Sequence, residues 1–261
     1  MNHISPRRAL LMALLVGGGF SGSTLAQVNL PSLLYAQNFD ALGSASATWT
    51  DNSTLTGWYA SVNNATTGAV GPYTTAYSVG AGGGTSSSTL YALGISGGGE
   101  RALGGAPSST ALGLLGLRLV NTSGSAYNDV QVRFDLEQWS DRGTALVTLS
   151  YQLFAPGSGS LSTLGGWTQL TSIASPLPAN GTPVSGIGNT TGLVPNVYGG
   201  VDSLNWQGGD ELWLKWTISK IGGQNSTHGI DNLIVQVPEP GIVTLASLCG
   251  LVVWWRHRAR S

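Results

Sequence analysis

In the stretch YNDVQVRFDLEQWSD, Val130, Val132, Phe134 and Leu136 alternate with Gln131, Arg133, Asp135 and Glu137. A period of two with one apolar and one polar face is the signature of a strand half-buried in an antiparallel sheet. DELWLKWTIS repeats the pattern, with Leu212, Leu214, Trp216 and Ile218 set against Glu211, Trp213, Lys215 and Thr217. ALVTLSYQLF places Ala145, Val147, Leu149, Tyr151 and Leu153 on one side. Turn-forming segments separate the runs (AGGGTSSS, SGGGE, NTSGSA, APGSGS, PLPANGTP), and no long stretch between the two ends has helical periodicity. Short strands punctuated in this way predict one all-β domain over residues 27–237, a single antiparallel β-sandwich of jelly-roll-like form. The composition suits it: 39 of 261 residues are glycine and only 9% are charged, against about a quarter charged in ordinary soluble domains.

Charge and cysteine content narrow the function. Between Val28 and Val237 there are eleven acidic and six basic residues. Such a mildly acidic domain, with no basic stripe, excludes nucleic acid as an expected partner. The single cysteine, Cys249, lies near the C-terminus, so the domain has neither a disulfide nor a cysteine-based metal site.

Both ends read as addresses. The N-terminus runs from MNHISPRR through the apolar ALLMALLVGGGF to SGSTLAQ, the three parts of a secretory signal peptide over residues 1–26, with cleavage expected after Ala26. The translocon and signal peptidase are the implied partners. At the other end, Pro238, Glu239 and Pro240 precede an uncharged apolar run from Ile242 to Trp255. As a helix its fourteen residues cover about 21 Å, short of the ~30 Å hydrocarbon core. Its flanks still read as a membrane boundary: Trp254 and Trp255, then Arg256, Arg258 and Arg260. The expectation is a single membrane helix over 242–255 with its basic end inside.

VPEP, a short apolar helix and an arginine-rich end together resemble the PEP-CTERM sorting signal of Gram-negative bacteria, over residues 238–261. That resemblance implies an exosortase-type membrane enzyme as a partner. It also implies transient anchoring in the inner membrane, followed by delivery to the cell surface or an extracellular biofilm matrix. Within the domain, the order NFDAL, YSVGAGG, RALGG, LRLVNTSG, LEQWSDRG, GWTQL and GIDNLIV resembles an exported bacterial β-sandwich module with an EQW strand and an IDD-like last strand. This second resemblance implies a fold and no activity.

Candidate site residues follow from residue type and strand parity. Asp231 shares parity with Leu233, Val235 and Val237 and is expected to face inward. A carboxylate there needs a partner. Asp40, in the first strand, supplies one through a shared structural calcium ion if the terminal strands are neighbours; otherwise Asp231 accepts backbone hydrogen bonds in a turn. No other cofactor is expected. Trp139 and Trp213 have the opposite parity to the apolar residues of their strands. They either stack on the sugar rings of an extracellular polysaccharide or lie under a loop. Glu137 and Asp141, flanking Trp139, are the pair most like a glycosidase's acid and base; the plainer alternative is a solvated Glu137 and an Asp141 in the following turn. GISGG at Gly94–Gly98 matches a serine-nucleophile motif, with His228 and Asp231 as formal partners, but a strand–turn–helix elbow is required and GERALGGAP is no helix.

No catalytic residue is therefore assigned. The leading expectation is a non-catalytic exported surface or matrix protein. The alternatives are a carbohydrate-binding module with structural calcium, and an enzyme acting on extracellular polysaccharide.

Overall fold

The computed structural model describes residues 28–30, 34–64, 67–68, 70–72, 75–83 and 89–238. The signal peptide with its cleavage point at Ala26 lies outside the described residues. So do Glu239, Pro240, the 242–255 helix, Trp254, Trp255, Arg256, Arg258 and Arg260. Among the described residues no helix is long and apolar enough to cross a membrane.

The domain is all-β and consists of two sheets. In chain order the strands are β1 (Val28–Leu30), β2 (Leu34–Gln37), β3 (Ala47–Thr48), β4 (Trp58–Asn64), β5 (Val70–Pro72), β6 (Ala76–Gly80), β7 (Leu90–Leu93) and β8 (Ala102–Gly105). Then come β9 (Ala111–Asn121), β10 (Val130–Gln138), β11 (Gly143–Phe154), β12 (Thr168–Ala174), β13 (Leu193–Val201), β14 (Glu211–Gly223) and β15 (His228–Gln236). The first sheet has the order β12-β11-β14-β9-β4-β5, with β1 also beside β9. The second has the order β13-β10-β15-β8-β7-β6-β3, with β2 also on β15. From β8 onward nearly every connection passes from one sheet to the other, which gives the crossing layers of a jelly-roll-like sandwich. Two pairs depart from the antiparallel expectation: β1 with β9 and β6 with β7 are parallel.

The three alternating runs become β10, β11 and β14, and their apolar faces meet between the sheets. Leu212, Leu214, Trp216 and Ile218 are fully buried there, as are Val132 and Leu136. Trp58 stacks on Trp216 with centroids 5.6 Å apart, while Phe39 meets Trp58 edge-on at 4.8 Å and Phe134 meets Trp216 edge-on at 5.9 Å. The indole N–H of Trp58 donates to Tyr35 Oη at 2.8 Å, so this aromatic core carries its polar atom with a partner.

β15 contains a break that repositions everything before it. Asn232 adopts φ +48°, and the pairing with β10 shifts between Arg133 and Asp135. Beyond this bulge, Leu233 and Val235 face the core; before it, Ile230 does. One inserted residue reverses which face its neighbours occupy. Asp231 therefore does not face inward with Leu233 as parity predicts. It pairs with Asp135 and stands on the outer face of the second sheet, the face that also carries Glu137.

Candidate functional site

Both outer faces carry the same small device. Trp139 Nε1 donates to Glu137 Oε2 at 2.7 Å, and Trp213 Nε1 donates to Glu211 Oε2 at 2.8 Å. Residues two apart on a strand share a face, so an acid two positions before a tryptophan can accept its indole N–H. Trp49 makes the mirror-image bond to Asp51 Oδ1 at 2.7 Å. Trp139 and Trp213 are then each roofed by a loop glycine. At Gly188 over Trp139 and at Gly159 over Trp213, an added Cβ would collide with the ring.

This corrects the expectation that Trp139 and Trp213 present faces to solvent. They are 0% and 2% exposed and cannot stack on a sugar from outside. Glu137, 1% exposed, is not a solvated strand residue either. Asp141 accepts from Val184 N at 2.6 Å and Asn180 Nδ2 at 3.2 Å, holding the loop after β12, and forms no pair with Glu137. Gly94–Gly98 is a turn between β7 and β8 with no helix after it. His228 turns to Ser175: its Nδ1–H donates to Ser226 O at 3.2 Å, which leaves Nε2 to accept from Ser175 Oγ at 2.7 Å. Burial lowers the His228 pKa to about 4, so the ring is neutral and bonds a serine in place of Asp231.

The outer face of the first sheet carries an aromatic row and a cavity. Trp167, Phe154, Trp213 and Tyr59 contact one another in sequence, with centroids 6.2, 6.4 and 4.7 Å apart. Lys215 Nζ sits 3.9 Å above the Trp167 ring, and its burial lowers its pKa to about 8. Beneath the loop after β11 lies a cavity of about 310 Å³, at the small end of the ligand-pocket range of roughly 300–1,000 Å³. Tyr59, Asp51, Ser160 and Ser162 line it, over a floor of Arg118, Glu211 and the edge of Trp213. Arg118 and Glu211 form a buried ion pair at 2.5 Å, which leaves the floor electrically balanced. Strand parity missed Tyr59 and Trp167; both lie half-buried on this face.

The outer face of the second sheet gathers acid. Glu100, Glu137 and Asp231 each bring a carboxylate oxygen within 4.8 Å of the others. Glu137 comes from β10, Asp231 from β15 just before the bulge, and Glu100 from the turn leading into β8. Burial pushes the Glu137 carboxyl up to about 8, opposed by the Trp139 N–H and reinforced by the charges of Glu100, Asp231 and Asp135. Burial likewise raises Asp231 to about 7 and raises Glu100. β2 does pair with β15, as the expected Asp40–Asp231 pairing needs. Asp40, however, is exposed on a 3₁₀ turn (Asp40–Leu42), where its carboxylate accepts from Asn38 Nδ2 at 2.7 Å and Arg101 N at 3.0 Å. Glu137 and Glu100 are the partners that the geometry gives Asp231.

No family model matches the chain, and no curated protein matches it. Solved structures with some likeness include the K2 cleaved adhesin domain of Lys-gingipain, which is 10% identical and has a TM-score of 0.37 over 78% of this chain and 98% of its own. A carbohydrate-binding module specific for non-crystalline cellulose is 13% identical, with a TM-score of 0.32 over 73% of this chain and 93% of its own. The enzymatically active domain of bacteriophage CBA120 tailspike protein 4 is 12% identical, with a TM-score of 0.31; the match covers 70% of this chain and 19% of that one.

Proposed function

We propose that this is a non-catalytic exported sandwich that binds a neutral polysaccharide on the outer face of its first sheet. The cavity beside Tyr59 is the observation that supports this reading. It combines a half-buried aromatic ring, a carboxylate and serine hydroxyls in a concave site of ligand size. An aromatic ring offers an apolar face for the C–H side of a pyranose, and short polar side chains take up its hydroxyls. The Arg118–Glu211 pair cancels the charge at the floor, which favours a neutral ligand over an anionic one. The two floor groups are tied to one another, and Glu211 Oε1 holds the loop by accepting from Gly157 N at 2.7 Å. This arrangement suits holding a ligand more than reacting with it.

The expected result on a glycan array is retention of neutral polysaccharides. Tyr59→Ala should weaken the affinity at least about tenfold, or 1.4 kcal/mol, with binding measured well below the melting transition of the variant, because Tyr59 also packs on Trp213. Equal binding by the two proteins, or no binding to any neutral glycan, removes the reading.

The destination is a separate proposal, favoured by the PEP-CTERM-like arrangement of residues 238–261. On this reading a secretion signal exports the chain, and an exosortase-type enzyme handles it at the inner membrane before delivery to the surface or matrix. Cell fractionation tests it. Removal of the last 24 residues, and separately Glu239→Ala, should change both location and mature mass. Identical fractionation of all three forms counts against sorting through this motif.

A further inference from the structure

We propose that Glu100, Glu137 and Asp231 hold a divalent cation, calcium by its chemistry, on the outer face of the second sheet. The site is separate from the polysaccharide site and does not depend on it.

The first observation is the convergence itself: three strand or turn segments distant in sequence bring carboxylate oxygens within 4.8 Å of one another. Two oxygens bound to one calcium ion at 2.3–2.6 Å each are separated by no more than about 5 Å. The second observation concerns what satisfies these oxygens. Asp231 is 3% exposed, yet its Oδ1 has no hydrogen-bond partner; Oε1 of Glu100 is buried and equally without one. A buried carboxylate oxygen with no donor costs several kcal/mol unless a positive charge or a hydrogen meets it.

The protein's nearby cation does not meet it. Arg101 is 0% exposed and lies next to Glu100, but its Nε and Nη1 donate to the carbonyl oxygens of Gly43 (2.5 Å) and Glu100 (2.6 Å). Among the described residues Arg101 forms no ion pair with the three carboxylates. Of the other groups around the cluster, Glu137 Oε2 is held by the Trp139 N–H, Glu100 Oε2 by Asn189 Nδ2, and Asp40 by Asn38 and Arg101 N, while Arg101 Nη2 has no hydrogen-bond partner. The cluster is thus a set of oxygen atoms facing one another, with no imidazole or thiolate among them. Such a donor set selects a hard cation over zinc or copper.

The cation would join β10, β15 and the turn before β8, so it would fasten three segments of the second sheet. Asp135, which pairs with Asp231 in the ladder, is occupied by Asn196 N (2.7 Å) and Asn232 Nδ2 (3.0 Å). It contributes charge to the surroundings and is no ligand.

The test is calorimetric titration of calcium chloride into the full protein freed of metal by EDTA, together with melting curves in calcium and in EDTA. One calcium per chain is expected. At a hundredfold excess over Kd, the melting temperature should rise by about 5–10 °C. Glu137→Gln keeps an acceptor for Trp139 and removes a charge, and Asp231→Asn is its isosteric counterpart. Each should weaken calcium at least about tenfold and, in EDTA, melt no lower than the wild type. Asp40→Asn should leave the affinity within about threefold, well inside the loss that a direct ligand causes. Indistinguishable melting of the wild type in calcium and EDTA overturns the proposal. So does undiminished binding by Glu137→Gln, or loss of binding in Asp40→Asn alone.

Discussion

Arg118→Met is expected to lower the unfolding free energy by about 3–5 kcal/mol, a large part of the 5–15 kcal/mol that holds a domain folded. Both members of the Arg118–Glu211 pair are nearly inaccessible, with side chains 8% and 1% exposed. Removing the guanidinium strands a carboxylate that is only 1% exposed at the floor of the cavity. Glu211 keeps only neutral donors, Gly157 N and Trp213 Nε1, which cannot compensate a full charge at low dielectric. The double variant Arg118→Met, Glu211→Gln should recover about half the loss. It removes the stranded charge but turns an amide NH₂ toward one of those two donors. Urea unfolding of the four proteins of this cycle measures the coupling. An Arg118→Met variant within 1 kcal/mol of the wild type would mean that water in the cavity solvates Glu211 in place of the guanidinium.

Acid should weaken the domain through His228. Its folded-state pKa of about 4 lies below the ordinary 6.5 because the ring is fully buried. Between those two values the unfolded chain binds a proton that the folded chain refuses, so stability is intact above pH 6.5 and falls as the pH drops toward 4. At 1.36 kcal/mol per pH unit, the loss approaches about 3 kcal/mol. Glu137 and Asp231 carry the opposite sign: their raised folded-state values mean that, without a cation, they contribute stability at acid pH and lose it as the pH rises toward 8. The difference between wild type and His228→Gln, both kept in calcium, isolates the histidine. The gap between their unfolding free energies should change by about 3 kcal/mol from pH 7 to pH 4. Parallel curves would show that the histidine accepts its proton in place, without opening the Ser175 and Ser226 contacts.

The layers of the sandwich were legible because alternation reports burial directly. Every apolar residue of the β10 and β14 patterns is in the core. The site was less legible, for two physical reasons. Parity counting assumes an unbroken strand, and the αL residue Asn232 breaks β15 where Asp231 would be assigned its face. Parity also says which sheet face a residue occupies, but not whether a loop covers that face. Trp139 and Trp213 were placed on the outer faces correctly, and parity left open whether they meet a sugar or lie under a loop; glycine-bearing loops roof them. A signal for this was present in EQW and ELW: an acid two positions before a tryptophan can satisfy its N–H without water, which allows the ring to be buried. Glu100 carried no such signal. It lies in a turn among glycines, and only the pairing of β8 with β15 brings it to Asp231.

β15 lies in the interior of its sheet, laddered to β10 on one side and to β8 and β2 on the other, and Val237 just after it is 3% exposed. If the chain is anchored through residues beyond 238, tension enters the domain along this strand. It must then shear hydrogen bonds on both flanks together, since ladder bonds lie across the strand axis. A tether attached to an edge strand could instead be peeled away one bond at a time. Anchored in that way, the sandwich would be gripped by a strand suited to bearing load, and a cation bridging β15 to β10 would act as a rivet across the loaded seam.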